Sequence, residues 1–166
     1  MNWLNLLYLL PLGFLYWLFL APGRGYRLIH SEDQLLSAPE LRFRYTKEEL
    51  TAYFDTVRSQ EELAKLWHWK YAATAVFMLV MAGIPFNFDL PQWLRISMLA
   101  AAALRAVLGF AETALLHSLL RKYQAGKALA GAKAASALTT LKWCATALWL
   151  LGLFGFLMVR AAKQSS

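Results

Sequence analysis

The stretch LAAAALRAVLGFAETALLHSLLRKY (residues 99–123) decides the fold, because it is largely apolar and yet contains Arg105 and Glu112. Seven residues separate these two ionisable side chains, which is about two helical turns, so they share one face of a helix. A charged side chain at the centre of a bilayer costs about 2.5–3.5 kcal/mol on insertion scales. We therefore expect this face to point into a helical bundle rather than toward lipid.

The composition of the 166-residue chain also indicates a membrane protein, since 59% of the residues are hydrophobic and only 16% are charged. Globular domains are about 45–50% apolar and about 25% charged. The net charge of +7 arises outside the nearly neutral stretch between Arg24 and Lys65, beside the apolar runs. This placement favours contact with a lipid bilayer that carries anionic lipids on its cytoplasmic side, and it argues against nucleic acid as a partner.

Four apolar runs predict four transmembrane helices, because each is close to the roughly 20 residues that a bilayer crossing needs. No Lys or Arg precedes Arg24, so the first run is interpreted as an uncleaved anchor rather than a signal peptide. The predicted fold is an all-α membrane protein, a four-transmembrane-helix bundle that forms a single integral membrane domain (1–166). The spans are about 2–21, 69–86, 93–119 and 139–159.

A helical cytoplasmic segment, about 45–68, is predicted between spans 1 and 2. Thr46 and Glu49 have the spacing of a capping box at a helix N-terminus. The apolar residues that follow recur at helical spacing, which predicts an amphipathic helix that lies against the bilayer or the bundle. These residues are Leu50, Tyr53, Phe54 and Val57.

The distribution of Lys and Arg between the loops predicts the orientation of the spans. The first loop and the third loop (121–137) are rich in basic residues, whereas the short second loop has none. The first and third loops should therefore be cytoplasmic, with both termini outside the cytoplasm. We predict a multi-pass protein of a bacterial inner membrane.

The candidate site is a polar pocket in the inner half of the bundle. A direct bond between Arg105 and Glu112 is not assured, because about 10 Å of helix axis separates them. Lys142, interpreted as lying on the first turn of span 4, is a better partner for Glu112. His117, on the cytoplasmic side of Glu112, and His68, at the end of span 2, complete the predicted binding pocket.

Small residues share the face of span 3 that carries these charges, which allows another helix to come close. They are Ala102 and Gly109. The polar residues could form a structural network that fixes helix register, or a functional pocket. His68 and His117 could instead ligate a haem or a metal, and a quinone surface is a further alternative. No metal site or cofactor is predicted from these patterns.

Catalytic motifs are not recognisable in the sequence, so no catalytic residue is proposed and an enzyme is the less favoured class. The favoured hypothesis is an accessory or assembly subunit of a larger membrane complex, with other membrane protein subunits or its own copies as partners. The alternative is a small homo-oligomeric transporter or channel that uses Glu112. A third hypothesis is a haem- or quinone-binding or lipid-directed enzyme.

Three motifs resemble those of a group of small bacterial four-span integral membrane proteins. They are YTKEELTAYFD (45–55), LRAVLGFAETALL (104–116) and TTLKW (139–143). The resemblance implies that Glu112 and the corner at residues 140–143 belong to one site. Members of the group tend to carry an aspartate early in span 2, and this sequence has none there, which puts a shared ion or proton role in doubt. The resemblance implies an architecture and no activity.

Overall fold

The computed structural model describes Pro39 and residues 42–58 and 61–164, with side chains at 56–58, 61–69 and 164 left outside the description. The predicted first span, 2–21, lies outside the described residues. Within the described ranges all regular structure is helical. The elements are α1 (Lys47–Arg58), α2 (Glu61–Gly83), a 3-10 helix (Ile84–Asn87), α3 (Gln92–Gln124) and α4 (Ala132–Gln164).

Three of the described segments are long and apolar enough to cross a membrane: Lys70–Asn87, Gln92–Gln124 and Ala132–Lys163. At 33 residues each, α3 and α4 are about 50 Å long, against a hydrocarbon core of about 30 Å. Large apolar side chains cover their outer faces, for example Val107 at 64% exposed and Leu148 at 66% exposed. Such faces suit lipid, which indicates a multi-pass membrane protein.

The capping box predicted at the start of α1 is confirmed. The Glu49 amide donates to Thr46 Oγ1 at 3.2 Å, and the Thr46 amide donates to Glu49 Oε2 at 2.7 Å. The second of these hydrogen bonds is the largest influence on the Glu49 carboxyl and lowers its pKa below 4.5. The reciprocal bonds satisfy amide groups that a helix N-terminus leaves without partners.

The apolar face of α1 packs on the bundle and not on the bilayer. Leu50, Tyr53 and Phe54 are buried in one cluster. The rest of that cluster comes from Tyr45, just before α1, and from the end of α3, the α3–α4 connection and the start of α4: Leu116, Leu119, Leu120, Leu129, Ala132 and Ala135. At the edge of the same contact, the Tyr123 hydroxyl donates to Asp55. The sequence left the bilayer and the bundle open as the surface for this helix, and the described contacts place it on the bundle.

Thr46→Ala should weaken this first turn by about 0.5–2 kcal/mol, because the Glu49 amide loses its acceptor. We expect faster amide hydrogen exchange confined to α1. Thr51→Ala is the matched control, since Thr51 Oγ1 donates only to the Lys47 carbonyl within the same helix. Equal acceleration in both variants would contradict a specific role for the cap.

The third loop was predicted at 121–137, and that prediction is wrong about its length. Helix α3 continues to Gln124 and α4 begins at Ala132, so the connection is confined to 125–131. Gly126 and Gly131 have φ of +69° and +119°, and these left-handed positions mark its two turns. Alanine, the best helix former, dominates the residues that follow, which extends α4 toward its N-terminus. As a result Lys142 lies about three turns into α4 and not on its first turn.

A second apolar cluster closes the opposite end of the bundle. Pro85 lies in the 3-10 helix directly after α2, as expected for a residue that ends a helix. The buried residues of this cluster are Met81, Leu90, Leu94, Met98, Ala102, Trp149 and Leu153. The two clusters leave the middle of the α2–α3–α4 bundle to polar side chains.

Candidate functional site

The centre of the site is the Glu112 carboxylate, which is only 2% exposed. Lys142 Nζ donates to Glu112 Oε2 in a buried ion pair, and Thr139 Oγ1 donates to Glu112 Oε1. Both donors come from α4, so the carboxylate joins α3 to α4. Each carboxylate oxygen has a donor, as a buried carboxylate requires.

Arg105 lies two turns away on the same face of α3 and does not bond to Glu112 in the structure. Its Nε donates to Thr146 Oγ1 at 3.2 Å, and Thr146 Oγ1 in turn donates to the Lys142 carbonyl at 3.0 Å. The guanidinium carbon lies 3.8 Å from the centre of the Phe77 ring on α2. We call Arg105, Glu112, Thr139, Lys142 and Thr146 the polar cluster.

One buried nitrogen of Arg105 is left without a hydrogen bond. The Nη1 atom of Arg105 has no partner among the described residues. The polar cluster therefore contains two cations and one carboxylate, and the carboxylate is bonded to Lys142. After Glu62 the sequence has only two acidic residues, Asp89 and Glu112, and the predicted first span has none.

A third cation is buried near the α1 end of the bundle. Lys70, on α2, is 7% exposed, and its Nζ lies 5.6 Å from the centre of the Tyr53 ring. Cation–π contacts of this kind are worth about 0.5–2 kcal/mol.

Gly109 allows the helices to approach closely beside the polar cluster. A Cβ atom added at Gly109 would lie 2.9 Å from Thr74 Cγ2 on α2 and 3.8 Å from Lys142 Cδ on α4. The predicted face of small residues is confirmed, since Ala102 and Gly109 are both buried. Three helices therefore meet where only a glycine fits without a shift.

The structure brings together only part of the predicted pocket. The contact between Glu112 and Lys142 is confirmed, and Arg105 is linked to them through Thr146. His117 is half-buried and follows Glu112 by five residues, which places it about 140° around α3 from the Glu112 face. The side chain of His68 lies outside the described residues.

The hydroxyl donors of α4 were not predicted from the sequence. Thr139, Lys142 and Thr146 recur at i, i+3 and i+7, which is a polar stripe on an otherwise apolar helix. That period was the signal that could have identified both threonines. The resemblance implied that residues 140–143 form one site with Glu112. Lys142 does contact Glu112, whereas Thr140 Oγ1 donates to the Phe43 carbonyl at 2.9 Å.

The described helices and the polar cluster define a helical, multi-pass membrane protein with ionisable side chains in its interior. No protein-family model, curated protein or solved structure matches this chain. The resemblance to small four-span bacterial membrane proteins stays a prediction.

Proposed function

We propose that this chain is an accessory or assembly subunit of a larger membrane complex, and that Arg105 binds a carboxylate on a transmembrane helix of a partner subunit. The observation that carries the proposal is the excess cation of the polar cluster, since Glu112 is bonded to Lys142 and Arg105 Nη1 has no hydrogen-bond partner among the described residues. Leaving a cation unneutralised at this depth costs several kcal/mol.

The partner carboxylate should come from a different protein rather than from a second copy of this chain. A second copy brings its own Glu112 already engaged with Lys142, together with another Arg105, so a homo-oligomer repeats the imbalance. Ionisable residues inside membranes pair with one another across helices, and this requirement specifies partner choice. A helix with one Asp or Glu near its midpoint has the chemistry that Arg105 needs.

We also propose a four-span topology, with residues 2–21 as the first crossing and both termini outside the cytoplasm of a bacterium. Support comes from α1, whose cluster includes Leu129 of the α3–α4 connection. The contact between them favours one side of the membrane for the first and third connections, independently of the count of basic residues.

The test is gentle extraction of the tagged chain from its native membrane, followed by mass determination and identification of co-purified subunits. We expect stoichiometric partners with the wild-type chain. Arg105→Gln should lose them, because removing one member of a buried charge pair costs about 2–5 kcal/mol of association free energy. Arg105→Lys, which keeps the charge, should lose less.

Arg121→Gln is the matched control, since Arg121 also lies on α3 but is exposed near its C-terminus, away from the polar cluster. The isolated Arg105→Gln chain should be at least as stable as wild type, because an unneutralised cation has been removed. A particle that contains only this chain and lipid would overturn the proposal, and so would full partner retention by Arg105→Gln. Glu112→Gln in flux assays would then test the transporter alternative.

A further inference from the structure

A groove of about 880 Å³ lies between residues 43–48 and the first turns of α4. Two hydrogen bonds hold its walls together: the Tyr45 amide donates to Ser136 Oγ at 3.1 Å, and Thr140 Oγ1 donates to the Phe43 carbonyl at 2.9 Å. The Tyr45 side chain is buried in the cluster below. The groove is therefore a fixed feature of the α1–α4 contact.

The groove is positively charged. Arg44 and Lys47 line one wall and Lys133 lines the other, and all three side chains are exposed. Glu48 is the one acidic residue among the lining residues. None of the three cations forms an ion pair with another residue in the described ranges. The groove thus presents cationic groups from two separate segments to whatever occupies it.

One end of the groove is continuous with the apolar outer face of α4. Leu141, which lines the groove, is 53% exposed. The same face continues along α4 at helical spacing through exposed Cys144, Leu148 and Leu151. On the opposite wall the Phe43 side chain is 59% exposed. A group of cations at the end of an apolar, exposed helix face matches the anionic headgroup and the acyl chains of a phospholipid.

We propose that this groove binds one anionic phospholipid, with its phosphate among Arg44, Lys47 and Lys133 and an acyl chain along the face that begins at Leu141. Basic side chains next to a membrane-crossing helix recognise anionic headgroups, each contributing about 1 kcal/mol. A soluble phosphate would contact the cations but not the apolar face of α4. The presence of both features therefore favours a lipid. The site requires only that α4 crosses the bilayer, and it is independent of the partner proposed for Arg105.

Cys144 gives a direct test, because it is the only cysteine in the sequence and its side chain is exposed one turn beyond Leu141. The full-length chain, labelled there with a fluorophore, is placed in nanodiscs of phosphatidylcholine with a minority of brominated lipid. Brominated phosphatidylglycerol should quench the label more than brominated phosphatidylcholine at the same fraction. In Arg44→Gln/Lys47→Gln/Lys133→Gln this preference should disappear, with about a fivefold loss of relative affinity for each residue changed.

The matched control is Arg121→Gln/Lys122→Gln/Lys127→Gln, which removes the same charge from exposed residues that do not line the groove. It should keep the preference. Equal quenching by the two lipids in wild type overturns the proposal, and so does an equal loss in the control. Suppression of the preference by added inorganic phosphate, but not by sodium chloride at the same ionic strength, would also overturn it, by identifying a soluble ligand. Circular dichroism verifies folding, and the single variant Lys133→Gln replaces the triple variant if the latter does not fold.

Discussion

Replacing Lys142 with methionine is expected to lower the free energy of unfolding by about 3–5 kcal/mol. The substitution keeps an unbranched side chain that is one heavy atom shorter and removes the cation from a carboxylate that is 2% exposed. Breaking a buried ion pair from one side leaves the remaining group without compensation in a medium of low polarity. Unfolding in mixed micelles, followed by circular dichroism as the denaturing detergent is increased, measures the loss.

The double variant Glu112→Gln/Lys142→Met separates the ion pair from the packing of the same side chains. With both charges removed, most of the lost stability should return, since neutral replacements of a buried pair are often close to neutral in stability. Lys122→Met is the control, because Lys122 is exposed near the end of α3, outside the polar cluster and the groove, and its replacement should change stability by at most about 0.5 kcal/mol. A double variant as unstable as Lys142→Met would show that the pair is not the source of the effect.

Gly109→Ala is expected to destabilise the bundle by about 1–3 kcal/mol, which is the usual range for overpacking. The new methyl group would lie 2.9 Å from Thr74 Cγ2, closer than real Cβ contacts allow. Thr74 is β-branched and lies on a helix, so its side chain has little rotational freedom to move away. The same detergent titration measures this loss.

Thr74→Ala should rescue Gly109→Ala, because it removes the Cγ2 and Oγ1 atoms that the methyl group would meet. Gly155→Ala is the matched control, since nothing lies within 4 Å of a Cβ atom at that position in α4. There the helix propensity of alanine should give a small stabilisation, about 0.5–1 kcal/mol. If Gly155→Ala were as damaging as Gly109→Ala, close helix contact at Gly109 would not be the cause.

The elements that were predicted well are those set by local periodicity. The capping box at Thr46 and Glu49 and the apolar face of Leu50, Tyr53 and Phe54 depend on neighbouring residues, and both are present. The pairing of Glu112 with Lys142 was predictable because few ionised groups are available inside an apolar bundle. In each case the residue types are compatible with few other local structures or partners.

The start of α4 and the hydroxyl partners depend on tertiary packing, which is why the sequence analysis missed them. Alanine favours a helix, but small residues and lysines are also common in solvated loops, and the contacts of Ala132 and Ala135 in the α1 cluster add to the helix propensity of the stretch. To predict that Thr139 rather than Thr140 donates to Glu112, the rotation of α4 about its own axis must be known. Neighbouring residues of a helix point about 100° apart, and the contact with α3 sets which of them faces Glu112.

The ion pair between α3 and α4 also has a consequence for biosynthesis. Each charged residue that enters the bilayer on an isolated helix costs about 2.5–3.5 kcal/mol, and α3 carries both Arg105 and Glu112. Only the short connection 125–131 separates α3 from α4, so the two helices can partition as a hairpin with Glu112 and Lys142 already in contact. The insertion machinery is therefore expected to release the last two helices into lipid together, and not one after the other.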